Sequence, residues 1–308
     1  MGRKKSLPNI HKRMGWRKDP YNRNPKMRKF NAKPTFRDKV ILDQFLAPVR
    51  DQGDEGSCVG HGIGGVLTTM ARELGLVDIG WFSPRWIYNG ARALEGTIKE
   101  DAGCYPEDAA QWIRDKECLL DSIWPYIAGK DTFMMPPSQY DAEAAKYPCI
   151  LFTRVLDGTN GICSAIDSGK YVAIGTPWYD EWMDTDKNGN LPEVDKYTWP
   201  AGGHETFAYG YDVSTKRFYC QNSWSAAWGN AGRFTMPFSA FDGFKLWGGY
   251  DAHIFDVDWV APEPPEPPTP PEPPQPNGAA RAIAKMANGM VKVFCPKSEI
   301  IARIKEGK

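Results

Sequence analysis

An α+β protein is expected from three observations. Helical periodicity is confined to the first half of the chain, and strand-like alternation dominates the second. The composition, with 42% hydrophobic and 25% charged residues over a length of 308, is that of an ordinary globular protein with a sizeable core. A helical half followed by a strand half argues for α+β, built as one large domain or two lobes.

In chain order, residues 1–39 are rich in Lys, Arg, Asn and Pro with little periodicity, which predicts an extended, partly ordered basic arm. The globular pattern runs over 40–260, with a helical lobe over about 40–155 and a β lobe over about 156–260. A first helix is expected over 57–74, where Val59, Ile63, Val66, Leu67, Met70 and Leu74 recur at helical spacing and Gly75 follows. Its glycines at 60, 62, 64 and 65 each cost about 1 kcal/mol relative to Ala, tolerable where a neighbouring backbone comes close. Two more helices are expected over 83–94, closed by Gly96, and over 106–116. Strands are expected over 171–177, 204–211, 217–222, 232–236 and 253–257, with turns at Asn188-Gly189 and Ser214-Thr215. Residues 261–276 hold ten prolines and three glutamates; they predict a polyproline-II spacer reaching roughly 50 Å at about 3.1 Å per residue. A short basic tail, 277–308, follows, with small helices at 279–287 and 298–305.

Charge is distributed unevenly. Residues 1–39 hold 14 Lys/Arg against Asp19 and Asp38, and 277–308 hold seven basic and two acidic residues. The chain is neutral in total, so the body is acidic. Basic ends can fold back on that body, meet an acidic protein partner or contact nucleic acid through the arm. No run approaches the ~18 apolar residues of a membrane span, and the basic N-terminus lacks the apolar segment of a secretory signal. A cytoplasmic or virion-associated protein is expected. The seven cysteines form no CxxC pair and no zinc-like cluster, so free buried thiols are expected rather than a metal site.

Three segments carry chemistry. The first, Gln52-Gly53-Asp54-Glu55-Gly56-Ser57-Cys58, sets a thiol where a turn meets a buried helix. Unsatisfied backbone N–H groups and the helix dipole favour thiolate there, and an imidazolium partner would lower its pKa further. The amide of Gln52 and the N–H of Cys58 can serve a tetrahedral oxyanion. The second, Gly202-Gly203-His204, opens an apolar strand. The third, Asn222-Ser223-Trp224, ends the next strand 18 residues on. Adjacent antiparallel strands would bring Asn222 beside His204, where an amide oxygen fixes the imidazole tautomer. Trp224 and Trp228 would shield that bond from water.

These segments resemble the papain family, and more closely its bacterial and viral branch. The resemblance covers roughly 15–260. It implies a helical lobe and an antiparallel β-barrel lobe with the cleft between them. It also implies Cys58 as nucleophile, His204 as general acid/base, Asn222 as orienter and Gln52 in the oxyanion hole. Residues 101–106 resemble the loop whose backbone, at Gly103 and Cys104, pairs with bound peptide; Cys104 stands where the family usually has glycine and would crowd the cleft. Weaker likenesses are 15–19, Ser83-Pro84 and 124–126. The departures are Val59 after the nucleophile, Glu205 after the histidine, Ser225 in the Asn-Ser-Trp motif, and no long inhibitory propeptide.

The activity implied is cysteine-peptidase hydrolysis of peptide bonds through a thioester acyl-enzyme, with peptide or protein as substrate and no cofactor. Two alternatives stand beside it: a catalytically silent papain-like scaffold whose tail docks a protein partner, and an amidase of peptidoglycan cross-links. His61, three residues after Cys58, is a rival base or a packing residue. Asp184, Asp186, Asn188 and Asp195 imitate the spacing of a calcium loop, although Asn188-Gly189 is also a hairpin turn.

Overall fold

The computed structural model describes residues 10–20 and 28–260; the proline spacer and basic tail expected beyond 260 lie outside the described residues. All described residues belong to one compact unit.

The elements follow the sequence closely where local signals are strong. After strand β1 (Lys39–Ile41), helix α1 runs Cys58–Glu73 and buries almost its whole surface, glycines included. Helix α2 (Pro84–Glu95) has Pro at its first position, Ser83 accepting the Trp86 N–H, and Gly96 in the left-handed conformation at its end. Helix α3 (Pro106–Lys116) also starts on Pro, with Glu107 and Asp108 in the first turn and Arg114 and Lys116 in the last, the arrangement the macrodipole favours. A single turn, α4 (Asp141–Ala144), precedes strand β2 (Cys149–Arg154) and helix α5 (Gly158–Asp167). Then come β3 (Val172–Trp178), β4 (Gly202–Asp212), β5 (Arg217–Gln221), β6 (Arg233–Pro237), helix α6 (Ala240–Leu246) and β7 (Asp251–Val257). Strands β1 and β2 and helices α5 and α6 go beyond the sequence expectation. The α5 segment Gly158-Thr159-Asn160-Gly161 is poor in helix formers; burial of Ile162, Cys163, Ala165 and Ile166 holds the helix.

The sheet is antiparallel throughout, ordered β2-β7-β3-β4-β5-β6, with β1 pairing β4. Two hydrophobic cores divide along its faces rather than along the chain. One joins α1, α2 and α3 to Phe207, Tyr209, Ala173 and Phe255; the other holds Ala208, Tyr211, Trp178, Trp224 and α5. Strand alternation thus lets β4 serve both cores, and a register shift between Ala208 and Gly210 adjusts it midway. The cleft residues sit where helix α1 meets this central strand.

Candidate active site

Cys58 is the first residue of α1, with Ser57 before it. Its sulfur lies 3.3 Å from the Gly15 backbone N–H, and the main-chain N–H groups of Glu205 and Val59 also favour its charged form. Burial outweighs them: the thiol, fully enclosed, is pushed up to about 12. The thiolate-favouring helix start expected from sequence is therefore overridden here by loss of solvent.

His204 lies on β4 and Asn222 just beyond β5. Their pairing brings His204 Nε2 to 2.7 Å from Asn222 Oδ1, which makes Nε2 the donor and leaves the lone pair on Nδ1. His204 Nδ1 has no partner among the described residues. Asn222 Oδ1 is itself fixed by the Ser223 N–H at 2.7 Å. Trp224 covers the imidazole at 4.5 Å, as its motif suggests, and Trp178 meets it edge-on at 4.8 Å. Trp178 escaped the sequence reading because a lone strand tryptophan carries no signal of its neighbour. Burial lowers the His204 pKa to about 4, against the opposing pull of the Asn222 bond. Sulfur and imidazole are thus both neutral, and no hydrogen bond joins them.

Gln52 is buried and its amide is occupied. Nε2 donates to the carbonyl oxygens of Arg13 (2.9 Å) and Glu55 (2.8 Å), while Oε1 accepts from Ser223 Oγ at 2.7 Å. Below it, Glu55 forms a buried ion pair with Arg85 and accepts from Tyr126. The Gln52 side chain is therefore rigidly aimed, with a main-chain carbonyl of the N-terminal arm in its grip.

That arm is the largest departure from expectation. Instead of remaining a loose extension, residues 13–19 run through the cleft. Cys104 N donates to Gly15 O at 2.8 Å, Arg17 N to Cys104 O at 3.1 Å, and Trp16 N to Gly203 O at 3.1 Å, so Trp16 and Cys104 form a parallel bridge. Gly103, at φ +69°, has no room for a side chain because Gly15 lies against it. The backbone of residues 103–104 does pair with an extended peptide, but the peptide is the chain's own. The Cys104 side chain is fully buried, with burial pushing its thiol up.

Other candidates resolve as structure. His61 Nδ1 lies 3.1 Å from Ser57 O, and its ring meets Tyr126 edge-on at 4.4 Å; it packs the helix. Glu205 points away from His204, as alternation requires, and lies buried against Gly62 of α1 with burial raising its pKa. In the calcium-like loop, Asp186 accepts from the N–H groups of Asn188 and Asn190 and from the Asn190 amide, and Asp195 accepts from Tyr197 N. These carboxylates close their own turns, and no group of three or more metal-ligating side chains occurs among the described residues. The six described cysteines are free and buried.

No protein-family model matches the chain. An uncharacterised peptidase C1-like protein of Acanthamoeba polyphaga mimivirus is 30% identical over 210 residues, covering 65% of this chain and 67% of that protein. Cathepsin K of Gallus gallus is 24% identical over 203 residues, 61% of this chain and 54% of that protein. Among solved structures, xylellain, a cysteine protease from Xylella fastidiosa, superposes with a TM-score of 0.69 at 21% identity, over 79% of this chain and 96% of its own.

Proposed function

The chain belongs to the papain-like cysteine peptidase family, and on that premise we propose that it hydrolyses peptide bonds through Cys58, His204 and Asn222. The observation that carries this reading is the His204 Nε2–Asn222 Oδ1 bond of 2.7 Å. It orients an imidazole whose other nitrogen is unpartnered, on the strand whose next residue, Glu205, offers its N–H to the nucleophile.

In this mechanism the Cys58 proton passes to His204 Nδ1, and the thiolate attacks the carbonyl carbon. Gln52 Nε2 and the Cys58 N–H hold the oxyanion. His204 then gives its proton to the leaving amine, and water, activated by the same nitrogen, cleaves the thioester to release acid and thiol. The Asn222 oxygen steadies the transient imidazolium, while Trp178 and Trp224 keep water from that bond.

The arm favours a second feature of the same reading: the chain as it stands is latent. Gly15 occupies the approach to sulfur, and the Arg13 carbonyl takes the Gln52 amide that a substrate oxygen needs. Activity then requires displacement or removal of residues 13–19, after which solvent returns to Cys58 and its pKa falls.

The test is covalent labelling by an epoxysuccinyl inhibitor. Labelling that rises when the arm is loosened by Trp16→Ala and disappears in Cys58→Ala is the expected result. Absence of labelling at neutral pH in the loosened protein, with the fold intact by circular dichroism, would remove the mechanism and leave the silent-scaffold alternative.

A further inference from the structure

Asp251 opens β7 on the cleft-facing side of the sheet and is 1% exposed. Every hydrogen-bond donor that reaches its carboxylate among the described residues comes from the arm. Trp16 Nε1 donates at 3.0 Å, Asp19 N at 2.9 Å, and the Lys18 ammonium forms an ion pair. Register explains the pocket around them. Gly175 on β3 stands between Asp251 on one neighbouring strand and Glu205 on the other. A side chain at Gly175 or Gly203 would collide with the Trp16 indole. Two glycines thus open a slot wide enough for a fused aromatic ring, with a carboxylate at its end.

Displacement of the arm, which the latent reading requires, changes the electrostatics of this slot. Lys18 and Asp19 leave together, and Asp251 loses all three donors at once. Arg154 remains nearby, 3.4 Å from Glu107, and it loses its 3.2 Å contact with Asp19. His253, two residues along β7, is buried and held neutral. Glu205 is buried with both oxygens unpartnered and its proton retained. The emptied slot therefore holds a buried carboxylate without a hydrogen-bond donor. Leaving such a group unmatched is costly, and a cation with directed N–H groups satisfies it better than a neutral ring does.

We infer that the slot filled by Trp16 is a specificity pocket selecting a cationic substrate side chain, arginine first, through Asp251. The planar guanidinium has the flatness of the indole it replaces and can donate two N–H groups to one carboxylate. The chain's own Trp16-Arg17-Lys18 run acts as an internal stand-in, supplying an aromatic N–H and an ammonium where the substrate would supply both functions in one side chain. This inference rests on the peptidase reading and on the cleft being cleared.

The test uses the full-length protein loosened by Trp16→Ala. Paired fluorogenic peptides carry arginine or its neutral isostere citrulline at each of the four positions around the scissile bond. At one position, arginine is expected to raise kcat/KM at least tenfold over citrulline, and Asp251→Asn is expected to erase the difference. Cleavage of the peptides with equal rates for the two residues at every position would overturn the pocket while leaving the peptidase intact. Cleavage of none of them, with no inhibitor labelling of Cys58, would instead remove the peptidase reading. The arginine–citrulline pair needs no substitution at Asp251, so the outcome stands even where Asp251→Asn fails to fold.

Discussion

The two walls of the cleft are built on opposite plans. On the sheet side, His204, Asn222, Trp178 and Trp224 complete one another: the Nε2–Oδ1 bond, the Ser223 N–H on the same oxygen and the two indoles all come from β3, β4 and the residues after β5. On the helix side, Cys58, Gln52 and Cys104 each have a main-chain partner in residues 13–17. One wall is finished by its own strands and the other by a segment that leads into it. The difference teaches that orientation of the imidazole is built into the fold, whereas access to sulfur and to the Gln52 amide is conditional on where the arm lies.

The sharpest way to break the first half of that comparison is His204→Ala. In a Trp16→Ala background it should lower peptide hydrolysis by about 10⁴-fold, the upper end of what general acid/base catalysis supplies. Steady-state kinetics on a fluorogenic peptide would show it, and near-normal turnover would remove the imidazole from the mechanism. Gln52→Ala in the same background should cost about 10²–10³ in kcat with a smaller change in KM, because its amide serves the oxyanion. An effect confined to KM would assign Gln52 to ground-state binding instead.

Trp16→Ala probes the conditional wall and has the opposite sign. Truncating a buried tryptophan removes about 3–5 kcal/mol. Because the indole belongs to the docked arm, that loss should increase cleft opening and accelerate Cys58 alkylation roughly 100-fold or more. An unchanged alkylation rate would mean that the arm does not gate the sulfur.

A smaller effect concerns pH. Burial, reinforced by the charges of Arg154 and Lys18, lowers the His253 pKa to about 3, below the ~6.5 of an unfolded histidine. Between these values the unfolded chain binds a proton that the folded chain refuses, so stability rises with pH. The contribution is fully present above about 6.5 and is lost as pH falls toward 3. His253→Gln should therefore flatten the fall in Tm between pH 6.5 and 4 measured by scanning calorimetry. Parallel slopes for the two proteins would show that His253 takes no part.

Much of this architecture was legible because it is local. Apolar spacing from Val59 to Leu74 fixed α1 within a residue or two, and Ser83-Pro84 with Gly96 bounded α2 through capping chemistry. The order of Gln52, Cys58, His204 and Asn222, each in its motif, was enough to resemble a family before any coordinates. Strand β2 and helix α5 were not legible, because what holds them is burial against distant residues.

The sequence by itself determined the element order, the helix that begins at Cys58 and the strand pair that joins His204 to Asn222, because each depends on periods, caps and turns a few residues long. Only the tertiary structure decided that Trp16 would lie over Gly175 and bond Asp251, 235 positions away. The same holds for Trp178 meeting His204 and for the arm closing over the sulfur. Contacts of that kind depend on which surfaces remain unsatisfied once the chain is packed, and no local pattern records the partner that will satisfy them.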